Sequence, residues 1–433
     1  MRRQKMDFNL KFIDGGITAP NGFTASGYHC GIKAGRTKND TALIYSEKLC
    51  NAAGVFTSNR VKAESVKYTK KILTDGKAQA AIVNVGYANA CTGEQGAQVA
   101  KRMADCTAKE LGINCNDVIV CSTGIIGQQV PVEKIEANIS NLKAALSKDG
   151  HTDASIGIMT TDTQNKECAV EFDLDGKTVR IGAMCKGSGM IHINMGTMLC
   201  FVTTDCAISS KMLDKALHES ISGTYNCVSV DGDTSTNDTL TILANGLAGN
   251  KEIKNAGKDY EKFLTALNAL NKIMAMKIAA DGEGASRLVE CTVKGAKDIK
   301  TARGLAKEII RSNLVKAAMF GKDANCGRIL CAMGYSGFEF NPDKTCVYFS
   351  SKKDGKRYFE VKSDGASPVY SDEKVEVVHN GVGLSFDEEK AAEILSSEAV
   401  EILVELSDGK AEGQAWGCDL TYDYVKINGD YRS

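Results

Sequence analysis

Between Met184 and Asp205 the chain reads MCKGSGMIHINMGTMLCFVTTD, a run of small and apolar residues around one cation, Lys186. Each glycine costs a helix about 1 kcal/mol relative to alanine, so Gly187, Gly189 and Gly196 argue against a helix here. The stretch instead predicts a loop feeding a buried strand, MLCFV. Thr197 stands at that junction, with its hydroxyl at the edge of a core and flexible backbone beside it that lets another group approach closely.

Two units of strand, small-residue loop and helix precede this stretch. The first is AQAAIVNV (78–85), a loop at 86–93, and a helix opened by Thr92 and Gln95 at capping-box spacing. The second is Val118 to Cys121, the loop Ser122 to Gly127, and a helix from Val132 to Leu146. A backbone N–H exposed beside a threonine hydroxyl can hold an oxyanion, as acyl transfer demands. Thr123 and Gly124 offer that pair, although an ordinary strand-to-helix turn reads the same.

Asp175-Gly176 between alternating apolar residues signals a hairpin. Beyond Thr197 the pattern predicts a helix at 211–221, a strand through YNCVSVDGDTSTNDT and a long helix at 259–280 whose Phe263, Leu267, Leu270 and Met274 face a core. It continues with a turn at Asp281 to Ala285, a helix at 301–320, a loop at 321–330, strands near 346–349 and 375–378, and a helix at 388–406. Alternating Val425 and Ile427 suggest a closing strand. Strands and helices mix on both sides of Thr197, and no Pro-rich linker parts them. The expected architecture is α+β, a layered α/β/α body divided at 1–196 and 197–433.

A net charge of −1 supplies no field to gather nucleic acid or an anionic membrane, and no apolar run approaches the 18 or so residues of a membrane span. Sixteen cysteines without a C-x-x-C pair or a secretory leader suit a reducing, cytoplasmic setting. Five dispersed histidines predict no zinc or other metal site. Nucleophile-elbow, P-loop, zincin and dinucleotide fingerprints are missing from the sequence. Threonine chemistry remains. A threonine hydroxyl becomes a nucleophile when its own free α-amine, titrating near about 8, serves as base. Freeing that amine requires a cut before Thr197, and Gly196, lacking a Cβ, leaves its carbonyl open to the Thr197 hydroxyl.

KGSGMIHINMGTML, CSTGIIG, MTTDT, DGEGA, GKDANCGRIL and the tail CDLTYDYVKING occur in one order along essentially the whole chain. In these motifs the chain resembles the ornithine acetyltransferase (ArgJ) family. The resemblance implies an αββα-like, self-processing N-terminal-nucleophile architecture of the kind shared with DmpA. It implies a precursor cut between Gly196 and Thr197 into an α chain, 1–196, and a β chain, 197–433, assembled as a heterotetramer with two of each. The implied reaction moves acetyl from N-acetylornithine to glutamate with no cofactor; some members also take acetyl-CoA as donor.

By the same resemblance Thr197 is the nucleophile, Thr123 and Gly124 stabilise the oxyanion, and Thr160, Lys186, Thr197, Glu283, Asn428 and Ser433 bind substrate. Gly196 stands where the family usually has alanine, Ile193 where it has proline, Tyr87 where it has asparagine and Cys326 where it has tryptophan. Tyr87 and Cys326 are expected to lie away from the chemistry. Two rival readings follow from the residues: an amidohydrolase or aminopeptidase of related fold that uses water as acceptor, and a binding protein that keeps the pocket without processing.

Overall fold

Leu199–Thr204 is buried at all six positions, which a strand can achieve only inside a sheet covered on both faces. The computed structural model, which describes residues 9–33, 35–192, 198–359, 361, 363 and 370–430, places it there. Lys177–Lys186 pairs with it antiparallel and Thr239–Ala244 parallel. Among the described residues the large sheet has nine strands. From one edge they run Lys11–Ile13, Lys166–Leu174, Lys177–Lys186, Leu199–Thr204, Thr239–Ala244, Thr41–Phe56, Lys77–Tyr87 and Val118–Ile125, with Phe23–Tyr28 paired onto Thr41–Phe56. Asp175 and Gly176 form the expected hairpin turn between Leu174 and Lys177, both with positive φ.

A second sheet, of six strands among the described residues, runs Val382–Gly383, Tyr370–His379, Cys346–Lys352, Ala399–Glu405, Leu288–Ala296 and Ala411–Cys418. The helix Lys258–Ala280 packs against strands of both sheets. Its Phe263, Leu267, Leu270 and Met274 join one apolar core with Val202 and Ile242 of the large sheet and Ile402 and Trp416 of the small one. Helices Gly93–Leu111 and Val132–Ala144 cover Leu43, Ile82 and Val120 at the far end of the large sheet. The body is therefore layered α+β, as the sequence predicts. Strands from beyond Thr197 lie in the middle of the large sheet, so 1–196 and 197–433 share one core. Among the described residues no helix is long and apolar enough to cross a membrane.

Several local expectations are corrected, three of them because an N-cap outweighed the pattern around it. Thr421 accepts a hydrogen bond from the Tyr424 N–H and opens a helix, Tyr422–Gly429, where a closing strand was expected. That helix has no buried residue, so the alternation of Val425 and Ile427 was not a burial pattern. Asn325 caps a helix, Cys326–Gly334, inside the supposed loop. Ser312 ends Ile299–Arg311 and caps Asn313–Gly321, splitting the helix expected at 301–320. The helix expected at 388–406 stops at Ser396, and Ala399–Glu405 is a strand beside Leu288–Ala296. Thr92 does precede a helix, but its hydroxyl donates to Asn89 Oδ1 and makes no cap.

Candidate active site

Thr123 and Gly124 lie near the end of Val118–Ile125, in parallel register with Val85 and Gly86 of Lys77–Tyr87. Asn237 braces this end: its Nδ2 donates to Ser122 O at 2.7 Å and to Ala88 O at 2.5 Å. Lys186 ends its strand opposite Leu199, and Leu199 lies beside Thr239 on its other flank. Two-sided pairing thus fixes Leu199, and Met198 O accepts from Thr239 N–H at 2.9 Å. Gly196, Thr197 and Ser433 lie outside the described residues.

A cavity of about 290 Å³ is lined by Thr123, Gly124, Thr160, Lys186, Glu283 and Asn428. These are all the predicted site residues that the structure describes. Met198, Leu199, Lys186 and Thr123 line a smaller adjoining space, so the chain next to Thr197 reaches the same place. A larger cavity of about 570 Å³ lies elsewhere, between Ala52–Thr57, Lys62 and His218, and contains none of the predicted residues.

Glu283 ties the cavity wall together. Its Oε1 accepts from Thr161 Oγ1 at 2.6 Å and its Oε2 from Asn428 Nδ2 at 2.8 Å, while its N–H donates to Ser188 O at 3.0 Å. Thr421, at the start of the last helix, also donates its hydroxyl to Gly284 O at 2.6 Å. This is how a largely exposed helix delivers Asn428 to the cavity. A Cβ at residue 189 would come within 2.2 Å of the Glu283 carboxyl carbon, so Gly189 keeps that carboxylate in place.

Behind the wall sits a buried ionic cluster. Lys166 Nζ is 2.7 Å from Asp162 Oδ1 and 2.5 Å from Asp281 Oδ2, and all three side chains are at most 2% exposed. Burial works against an ionised Asp162, but the charges of Lys166 and Lys186 outweigh it and hold the carboxyl below its usual range. Asp162 also accepts the N–H groups of Thr160 and Gly187, and Asp281 those of Thr163 and Gln164. One cluster therefore sets the loop carrying Thr160, the end of the Lys186 strand and the turn carrying Glu283. Lys166→Met is expected to strand two buried carboxylates and cost about 3–5 kcal/mol. Denaturant unfolding at pH 7 checks this; a midpoint equal to that of the parent would remove the cluster from the frame of the site.

Three groups at the site escaped the sequence reading. Thr161 holds Glu283, and its signal was the hydroxyl-rich MTTDT motif. Asn237 and Asp238 sit in the hydroxyl- and carboxylate-rich stretch after Val230, which carries no periodicity to give them a direction. Asp238 is 2% exposed and lines the space beside Met198 and Lys186. Its Oδ2 has no hydrogen-bond partner among the described residues. Burial pushes its carboxyl well above the ordinary range, against the pull of Ser235 and Lys186. One expectation is corrected as well: Tyr87 lies opposite Ile125, next to Gly124, and so adjoins the site.

The model of the ArgJ family matches residues 24–433. The "Arginine biosynthesis bifunctional protein ArgJ" of Caldanaerobacter subterraneus subsp. tengcongensis is 47% identical over 424 residues, 98% of this chain and 100% of that protein. The "Arginine biosynthesis bifunctional protein ArgJ 1" of Clostridium acetobutylicum is 49% identical over 411 residues, 95% of this chain and 96% of that one. A crystal structure of the protein of the same name from Bacillus halodurans aligns at 39% identity and a TM-score of 0.46, covering 53% of this chain and 98% of the solved one. Matched over nearly its whole length by the family and by these relatives, the chain belongs to the ArgJ family.

Proposed function

We propose that this chain is a self-cleaving ornithine acetyltransferase of arginine biosynthesis. It moves acetyl from N-acetylornithine to glutamate through an acyl ester on Thr197. The observation that carries the reading is the convergence of Thr123, Gly124, Thr160, Lys186, Glu283 and Asn428 on one cavity, beside the strand that starts after Thr197.

The Thr197 hydroxyl attacks the Gly196 carbonyl, and water resolves the resulting ester into the chains 1–196 and 197–433. The freed α-amine then takes the hydroxyl proton as N-acetylornithine acylates Thr197. Thr123 and Gly124 face the tetrahedral oxyanion; one such donor is worth about 2.7–4 kcal/mol in known enzymes. Ornithine leaves with a proton, glutamate enters, and its amine takes the acetyl group. Amino-acid substrates need a cation for a carboxylate and an anion for an amine; Lys186 and Glu283 supply both signs, with Thr160 and Asn428 as neutral partners. Hydrogen bonds from Thr161 and Lys166 to Glu283 and Asp281 cross the cut, which supports one active site built from both chains. The family resemblance adds Ser433 to the substrate-binding residues, and two copies of each chain make the heterotetramer. Acetyl-CoA is a second donor to be tested alongside N-acetylornithine. Every cysteine is a free thiol, which supports a reducing, cytoplasmic setting.

Acetyl release from N-acetylornithine, measured with and without glutamate, tests the reading. Release that depends on glutamate is expected; release indifferent to it would favour the amidohydrolase or aminopeptidase. An intact 433-residue band on a denaturing gel would favour the binding protein. Glu283→Gln is expected to cleave normally yet transfer about 10–100-fold more slowly. The carboxylate accepts from two donors, and an amide would set its own NH2 against one of them, losing a charge-assisted bond worth about 1.5–3 kcal/mol. Steady-state transfer beside a denaturing gel reads both effects. An uncleaved Glu283→Gln protein would move Glu283 from substrate binding to maturation.

A further inference from the structure

Five histidines scattered along the sequence predicted no metal site, but folding brings one of them beside a cysteine and a carboxylate. In the antiparallel pair Cys346–Lys352 and Tyr370–His379, Val347 lies opposite Val378 while Tyr348 lies opposite Glu376. Val377 is thus an extra residue on its strand, a β-bulge. Both Val377 and Val378 are buried as a result, and Glu376 and His379, three residues apart, come to the same outer face. Bulges commonly re-aim side chains in this way.

One step past the Val347–Val378 pair, Cys346 faces His379. Its Sγ is 3.8 Å from His379 Nδ1, and that nitrogen is 2.8 Å from Glu376 Oε1. The three donor atoms all lie within 4.8 Å of one another. The Asn380 N–H donates to Cys346 Sγ at 3.5 Å.

We propose that Cys346, Glu376 and His379 form a binding site for a divalent transition ion of the zinc class. Zinc–sulfur and zinc–nitrogen bonds of about 2.3 and 2.0 Å put sulfur and nitrogen roughly 3.5 Å apart in a tetrahedron, close to the observed separation. Mixed sulfur, nitrogen and oxygen donors suit zinc or cobalt; magnesium and calcium call for oxygen alone. Three protein ligands leave a fourth position for water. Binding would expel the thiol proton to solvent and clip the Tyr370–His379 hairpin strand to its neighbour. An exposed His–Glu ion pair would account for two of the three groups at little gain in stability, but it gives the facing thiol no role. None of the three residues lines the catalytic cavity.

The test titrates the chelator-treated, full-length protein with Co2+. A thiolate-to-cobalt charge-transfer band in the near ultraviolet and tetrahedral bands in the visible are expected, and Zn2+ should abolish both by competition. Cys346→Ser should remove the charge-transfer band, and His379→Gln should weaken zinc binding on the order of 10-fold or more. Cys331→Ser, at an exposed cysteine elsewhere, should change neither. Zn2+ should raise the Tm of the parent and leave that of Cys346→Ser unmoved. Circular dichroism and acetyl transfer of Cys346→Ser, both expected to match the parent, guard against misfolding as the cause. A parent that gives no charge-transfer band, or a Cys346→Ser protein that binds Zn2+ as the parent does, would overturn the site.

Discussion

Thr197→Ala is expected to yield a single uncut chain with acetyl transfer reduced on the order of 10⁴-fold or more, as when the hydroxyl nucleophile of a serine protease is removed. The same oxygen does two jobs. Without it nothing attacks the Gly196 carbonyl, so the chain stays whole; without the cut there is no α-amine to act as base, and no hydroxyl to carry acetyl. Thr197→Ser keeps the oxygen and should retain part of both activities. A denaturing gel separates the two outcomes, and N-terminal sequencing of the 197–433 fragment of the parent should read TMLCF. An alanine variant that still divides into two fragments would defeat the assignment. Thr197 itself lies outside the described residues. Leu199, two residues on, is paired on both flanks, to Lys186 and Thr239, and with Met198 it lines the space beside the cavity.

How much of this was legible in the sequence depended on whether a residue's role was local. The buried strand after Met198, the hairpin at Asp175-Gly176 and the long helix ending at Ala280 each follow from periodicity or turn chemistry within a few residues, and each is found. The layered α+β class was readable for the same reason. Residues 399–405, AVEILVE, continue a helical pattern with no glycine or proline to stop it; partnership with Leu288–Ala296, about 110 residues away in sequence, decides for a strand. The tail misled in the opposite sense, since the signal that mattered was one hydroxyl, Thr421, and not the apolar alternation after it. At the site, family resemblance supplied the residues that touch the cavity, whereas Thr161, Asn237 and the Lys166 cluster act through other residues. No pattern in the chain announces that Asp162 and Asp281 will share one lysine.

Gly124→Ala makes the strictest demand on the site geometry. Gly124 has a φ of +130°, which L side chains rarely adopt. A Cβ there would lie 2.3 Å from the carbonyl carbon of Gly86, 2.4 Å from its oxygen and 2.7 Å from the Tyr87 nitrogen. All three are backbone atoms of the adjacent strand, so no side chain can swing aside, and the strand end carrying Thr123 must move. The strained φ alone costs about 1–3 kcal/mol. Displacing one oxyanion donor is expected to slow transfer about 10²–10³-fold. Gly127→Ala is the control: it has a φ of +82° in the turn just beyond that strand, yet a Cβ there meets nothing within 4 Å. It should lower Tm modestly and leave transfer within about twofold, because strain without a clash does not move the oxyanion donors. Transfer rates and melting curves for both variants distinguish the causes. If Gly124→Ala lowers Tm but transfers as fast as Gly127→Ala, Gly124 is a spacer between strands, and the oxyanion must be held by Thr123 and other donors. If neither quantity changes beyond the control, the close approach of Gly86 and Gly124 does not govern this site.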